Sequence, residues 1–172
     1  AYEIYQCDWS SDVCSSDLWF FEVIDKEQIK HVIHLGDIYD RRKYVNFLSA
    51  KRVREDFLDP LEDRCIETHI IQGNHDSYYK DTHEVNALDE LIAGRYQFIR
   101  SYSLPEIITI DGLDIQIMPW ITNSNREVAM DVIDNPRAQV LMGHLEVQGF
   151  QMHRGAISDH GVDRNKIGRA HV

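Results

Sequence analysis

Two stretches decide how this chain reads: His31-Val32-Ile33-His34-Leu35-Gly36-Asp37-Ile38-Tyr39-Asp40 and Thr68-His69-Ile70-Ile71-Gln72-Gly73-Asn74-His75-Asp76. Each begins with a short β-branched apolar run, which reads as a strand, and passes at once into glycine and a metal-capable side chain. A third stretch behaves alike: Ala138 to Met142 runs into Gly143-His144. Glycine lets the backbone turn sharply and come close to a bound group. In open α/β sheets, ligands sit beyond the carboxyl ends of the strands. Asp37, Asn74 and His144 are therefore expected to converge, although far apart in sequence.

Between these strands the pattern alternates. Phe20 to Gln28 reads as the end of a helix. Phe47, Ala50, Phe57, Leu58 and Leu61 recur at helical spacing, with Pro60 placed to kink or end that helix. Asn86 to Ile92 reads as a short helix with Gly94 as its stop. Ile107–Ile110 and Leu113–Met118 flank Asp111-Gly112, a strong hairpin signal. Glu127 to Ile133 suggests a further helix. The order strand, helix, strand, helix, hairpin, helix, strand predicts an α/β fold with a mixed or layered sheet.

The composition is that of one globular domain: 172 residues, 43% hydrophobic and 27% charged. No apolar run approaches the roughly 18 residues of a membrane span. No basic-then-apolar leader opens the chain, and three cysteines without a pairing pattern suggest a reducing compartment, hence a cytoplasmic location. The net charge of −11 argues against a protein that coats polyanions. It does not exclude an enzyme that meets DNA through bound cations.

The ends read differently. Asp12 to Leu18 back-translates as GAC GTG TGC TCT TCC GAT CT, and the reverse complement, two bases in, encodes Ile167-Gly168-Arg169-Ala170-His171-Val172. Opposite strands of one short DNA, similar to a common sequencing adapter, account for both ends. Residues 1–18 and 167–172 are accordingly expected to be foreign, and 19–166 to be the natural part, truncated at both ends.

A carboxylate, an amide oxygen and an imidazole form a mixed oxygen and nitrogen set without thiolates, suited to manganese, iron or a mixed pair. Two such ions clamp the attacking and leaving oxygens of a phosphoryl transfer. His75 follows Asn74 directly and is placed to protonate the leaving oxygen, with Asp40 or Asp76 to hold its tautomer. Each motif alone is ambiguous, since Asp, Asn and Gly are common turn formers. Arg41, Arg42 and Lys43 directly follow the first motif and are candidates for DNA phosphate contacts. Tyr78-Tyr79-Lys80 is a candidate for stacking on nucleic acid, although aromatic packing is commoner. Met118-Pro119-Trp120 reads as core, Cys65 as a small apolar residue at a strand edge, and His153 and His160 as surface histidines.

GDIYDRR (36–42) and GNHD (73–76) resemble the second and third signature motifs of the calcineurin-like metallophosphoesterases, and Gly143-His144 resembles the fourth. From Tyr39 to Asp163 the chain is similar to nuclease subunits of the SbcCD type, including those of tailed phages. The similarity runs through Tyr79-Lys80, Asn86-Ala87, Ile117 to Trp120, Glu146, Gly149-Phe150, Gly155 and His160-Gly161. The resemblance implies a four-layer α-β-β-α sandwich and a dimanganese DNA exo- and endonuclease of a recombination and repair complex. It implies that Asp37 bridges the metals, that Asn74 and His144 bind the second ion, and that His75 is the catalytic histidine with Asp40 at its partner's place. It further implies a homodimer and a coiled-coil ABC-type ATPase as partner. Two family elements are absent: D-x-H before Asp37 and G-H-x-H after His144. The chain is thus expected to bind metal poorly and to be inactive, its parent active. The alternatives are a phosphoesterase acting on small phosphodiesters or phosphoproteins, and a site-incomplete scaffold domain without catalysis.

Overall fold

The computed structural model describes residues 15–153 and 156–167. Of the stretches expected to be foreign, residues 1–14 and 168–172 lie outside the described residues, as do Gly155 and the side chain of His153.

Helix α1 (Ser15–Glu27) leads to strand β1 (His31–His34). A continuous helical stretch follows, made of α2 (Phe47–Arg52), a π-helical segment (Val53–Leu58) and α3 (Asp59–Asp63). Next come β2 (Glu67–Ile71), α4 (Ala87–Leu91), β3 (Ile99–Tyr102), β4 (Glu106–Ile110), β5 (Leu113–Met118), α5 (Arg126–Asp134) and β6 (Val140–Gly143). Short strands β7 (Val147–Gln148), β8 (Gln151–His153), β9 (Ala156–Ile157) and β10 (Val162–Asp163) precede α6 (Arg164–Ile167).

Two three-stranded sheets carry the fold. β1, β2 and β3 are parallel, in that order; β5 pairs antiparallel with β4 and parallel with β6. Because strand side chains alternate, each sheet has two faces. The even positions Val32 and Ile70, with Ile99 of β3, pack under α1, the long helical stretch and α4, against Phe57, Leu61 and Leu88. The odd positions Ile33 and Ile71 meet Ile108, Ile115, Ile117 and Met142 of the second sheet. On that sheet's far side Met118 and Leu141 receive Ala129 and Ile133 of α5. Helix, sheet, sheet, helix is the layer order, as expected.

Pro60 does not end its helix, which runs on to Asp63. It has no N–H and crowds the carbonyl four residues back. The π turn just before it absorbs the misfit: Asp59 N–H donates to the Arg54 carbonyl, five residues back. Cys65 is not a packed apolar residue. It is exposed and takes φ +54°, the left-handed residue that closes α3, while Ile66 N–H donates to Leu61 O and Cys65 N–H to Glu62 O. α4 is capped by Asn86, whose Oδ1 accepts from Asp89 N–H at 2.9 Å, and Gly94 takes φ +72° in the turn beyond.

Candidate metal centre

β1 and β2 are adjacent and parallel, so their C-terminal loops lie side by side. Gly36 (φ +93°) and Asp37 (φ +56°) form a left-handed pair that folds the chain back over β2. The approach leaves no room for side chains. A Cβ on Gly73 would lie 2.2 Å from Asp37 Oδ1 and 2.3 Å from Asp37 N; one on Gly36 would lie 2.7 Å from Gly73 Cα and 2.9 Å from His144 Nδ1.

Two carboxylates hold the junction reciprocally. Asp76 is buried and accepts from three backbone groups: Asp37 N–H at 2.8 Å, Gly73 N–H at 2.9 Å and Tyr39 N–H at 3.2 Å. Asp37 Oδ1 accepts in return from His75 N–H at 2.7 Å. Burial pushes the Asp76 carboxyl up to about 6, against the pull of those three N–H groups, with the Asp37 charge adding to the rise.

The second sheet is stitched to the same end. Trp120 N–H donates to Gln72 O at 2.8 Å, and His144 N–H donates to Met118 O at 2.9 Å. Behind these lies a buried polar cluster absent from the sequence reading: His83 Nε2 contacts Trp120 O at 2.8 Å, and Asn125 Nδ2 donates to that carbonyl at 3.1 Å. Burial holds His83 below the usual histidine range.

His144 thereby reaches the loops of the first sheet. Its Nδ1 donates to Leu35 O at 2.9 Å, which fixes the tautomer and leaves the Nε2 lone pair free, the arrangement of a metal-ligating histidine. That Nε2 lies 3.6 Å from Asp37 Oδ2 and 2.9 Å from the Asn74 amide. With Asn74 oxygen turned to this side, three acceptor atoms face one another. A cation shared among them would reconcile that arrangement. With the amide reversed, its nitrogen donates to His144 Nε2 at 2.9 Å and Asp37 Oδ2 at 3.0 Å, while its oxygen accepts from Arg42 Nη2 at 3.1 Å. Asp37, Asn74 and His144 therefore do converge, and their donor types and spacing fit a divalent ion.

His75 meets Asp40 through the main chain: His75 Nδ1 donates to Asp40 O at 2.7 Å. The Asp40 carboxylate faces Arg41 Nε at 3.5 Å instead, and Asp76, the other suggested tautomer holder, is spent on the backbone groups above. The three basic candidates part company. Arg41 is exposed and bonds the Tyr44 hydroxyl, and Lys43 lies over Tyr78, 5.7 Å from the ring centre. Arg42 is turned inward, its guanidinium stacked 4.6 Å from the Trp120 ring centre, with Nη1 buried and unpartnered. Trp120 is core, as read, but it also carries Arg42 to Asn74. His160 is exposed and pairs with Asp159 at 3.3 Å.

His34 had no expected role. Its ring lies under Phe57, its Nδ1 accepts from Gly36 N–H at 3.3 Å, and burial pulls it down to about 4, with nearby His144 acting in the same direction and Asp37 opposing. An alternating strand pattern would place position 34 on the helix-covered face, and that was the available signal.

The family model described as calcineurin-like phosphoesterase matches residues 15–166. Exonuclease subunit 1 of Enterobacteria phage T4 is 31% identical over 167 residues, which cover 91% of this chain. The chain spans about half the length of that relative, 48%. The matched span, which takes in the glycine-terminated strands and the loops that meet at their ends, places the chain in the calcineurin-like phosphoesterase family.

Proposed function

We propose that the chain is part of a two-metal, manganese-type DNA exo- and endonuclease subunit of a recombination and repair complex. The observation that carries this is the convergence of Asp37, Asn74 and His144 from three strands of two sheets, with His75 beside them. The similarity to a phage exonuclease subunit supports a DNA substrate, and the word subunit supports an assembly. The reading extends to a homodimer and a coiled-coil ABC-type ATPase partner, with Arg41 and Lys43 touching DNA phosphates at the mouth of the site.

Divalent ions held by Asp37, Asn74 and His144 supply Lewis-acid stabilisation of charge on a phosphoryl oxygen. The chain's own residues do the rest. Leu35 O holds His144 in the ligating tautomer. Asp40 O accepts a hydrogen bond from His75 Nδ1–H, so that Nε2, when it carries a proton, is the atom that gives it to the departing oxygen. Arg42 competes for the Asn74 oxygen: the bond to Arg42 turns the amide nitrogen towards Asp37 and His144, so that bond and ligation of an ion by Asn74 are alternatives. In this proposal D-x-H and G-H-x-H belong to the parent protein, and residues 1–18 and 167–172 are foreign; the matched family span stops at Lys166, just before Ile167, though it starts at Ser15. Sequencing the source gene across both ends tests that part.

The functional test uses the full gene product with Mn²⁺, duplex DNA and a chromogenic phosphodiester. DNA cleavage is expected, lowered about 10²- to 10⁴-fold in His75→Asn while Mn²⁺ binding persists. Hydrolysis of the small diester with none of DNA would overturn the nuclease reading; Mn²⁺ binding without any hydrolysis would favour a scaffold.

A further inference from the structure

At the other end of the first sheet, His31, Glu67 and His69 bring one ligand atom each within 4.8 Å of one another. Register makes this so: His31 of β1 stands opposite Glu67 of β2, and His69 is two residues on, on the same face. His31 Nδ1 lies 3.4 Å from Glu67 Oε2, and His69 Nε2 lies 3.8 Å from Glu67 Oε1.

We propose that His31, Glu67 and His69 form a second metal site, for one zinc-class divalent ion, that clips β1 to β2. The donor set, two imidazoles and one carboxylate, is one that zinc takes. A tetrahedral ion with bonds of ~2.0–2.2 Å holds its donor atoms roughly 3.3–3.6 Å apart, and each imidazole lies near that range from one oxygen of Glu67, His31 from Oε2 and His69 from Oε1. The polar accounting points the same way. His31 Nδ1 is buried and has no hydrogen-bond partner in spite of its nearness to Glu67. His69 is buried, and its Nδ1 is bonded to the Tyr102 hydroxyl at 2.8 Å. That bond orients the ring so that Nε2 faces Glu67, as an outer partner of a metal-bound histidine does. The Glu67 side chain is 43% exposed, which opens the site to solvent and leaves room for a water as fourth ligand.

This site is separate from the centre at Asp37. His31 opens β1 and Asp37 follows its far end, so the two are separated by the strand's own length, roughly 10 Å for four residues. The inference does not rest on the nuclease reading: a clip at the strand origins would hold whatever the other end does.

The test uses the 172-residue chain carrying Asp37→Asn and His144→Asn, stripped with chelator and titrated with Zn²⁺ by calorimetry and with Co²⁺ by visible absorption. One equivalent is expected to bind, with the intense bands of tetrahedral cobalt. Adding Glu67→Gln, a half-exposed isosteric change, is expected to abolish the bands, with circular dichroism confirming the fold. Tyr102→Phe is expected to weaken binding about 10- to 100-fold while the bands persist at saturation. Absence of binding in the folded double variant, or binding indifferent to Glu67→Gln, would overturn the proposal.

Discussion

At the scale of single residues, the site depends on the absence of a side chain as much as on those present. Gly73→Ala would drive a Cβ into the Asp37 carboxylate and amide, both within 2.3 Å and both fixed by hydrogen bonds. Overpacking of this kind costs about 1–3 kcal/mol, and here it also displaces a proposed ligand. Urea unfolding should show the lower stability, and Mn²⁺ titration should show metal affinity falling more than stability does. Protonation is equally local. His34, His69 and His83 are all held below their ordinary range, chiefly by burial, so the unfolded chain binds more protons than the folded one on the acid side. Their contribution to stability is therefore complete above about pH 6.5 and is lost as pH falls, for His34 through a window reaching down to about 4. Asp76 opposes this. Its carboxyl is raised, so it favours the folded state below its unfolded value of 3.8 and loses that contribution as pH rises through about 6. Three groups against one give a net loss on acidification. The urea midpoint should fall from pH 6.5 towards 4.5, and His34→Gln should flatten the fall by about 2 kcal/mol. An unchanged slope in that variant would show that His34 binds protons alike in the folded and unfolded states.

At the scale of elements, the readable parts were those where local chemistry and tertiary role agree. Asp111 (φ +50°) and Gly112 (φ +80°) take the two left-handed positions that a tight hairpin requires, and the turn between β4 and β5 forms where Asp-Gly placed it. Gly112 is a clean probe of backbone cost, because nothing lies within 4 Å of a Cβ there. Gly112→Ala should cost about 1–2 kcal/mol by denaturant unfolding and leave metal binding unaltered, in contrast to Gly73→Ala. Strands β1, β2 and β6 were legible because both faces are covered and their residues run apolar. β3 was not. Arg100 and Ser101 interrupt it, and only the neighbouring β2, which it pairs in parallel, makes Ile99–Tyr102 a strand. The two-residue strands β7, β9 and β10 have no local signature at all; they exist by pairing. The candidate ligands were legible for a related reason, since glycine after a β-branched run marks where a parallel strand delivers its loop. What held them was hidden. The Leu35 and Asp40 carbonyls that orient His144 and His75 are backbone groups, which no residue pattern can announce.

At the scale of the whole molecule, the site is divided between two sheets. Asp37 and Asn74 ride on β1 and β2, whereas His144 rides on β6 and is joined to them across the sandwich. An ion bound by all three therefore favours the packed sandwich over any state in which the sheets part, by RT ln(1 + [L]/Kd), about 1.4 kcal/mol at ten times Kd. Two substitutions separate this coupling from ordinary packing, both in a Glu67→Gln background that silences the cluster at the opposite end. Ile117 is fully buried between the sheets. Ile117→Ala should lower stability by about 2–5 kcal/mol in chelator, yet keep the rise in urea midpoint that Mn²⁺ produces, because the ligands are untouched. His144→Asn lies at the partly exposed end of the sandwich. It should cost little in chelator and abolish the Mn²⁺-induced rise, because the ion is then held by one sheet alone. A full rise surviving His144→Asn would mean that the two sheets do not share the ion, and the site would belong to β1 and β2 only.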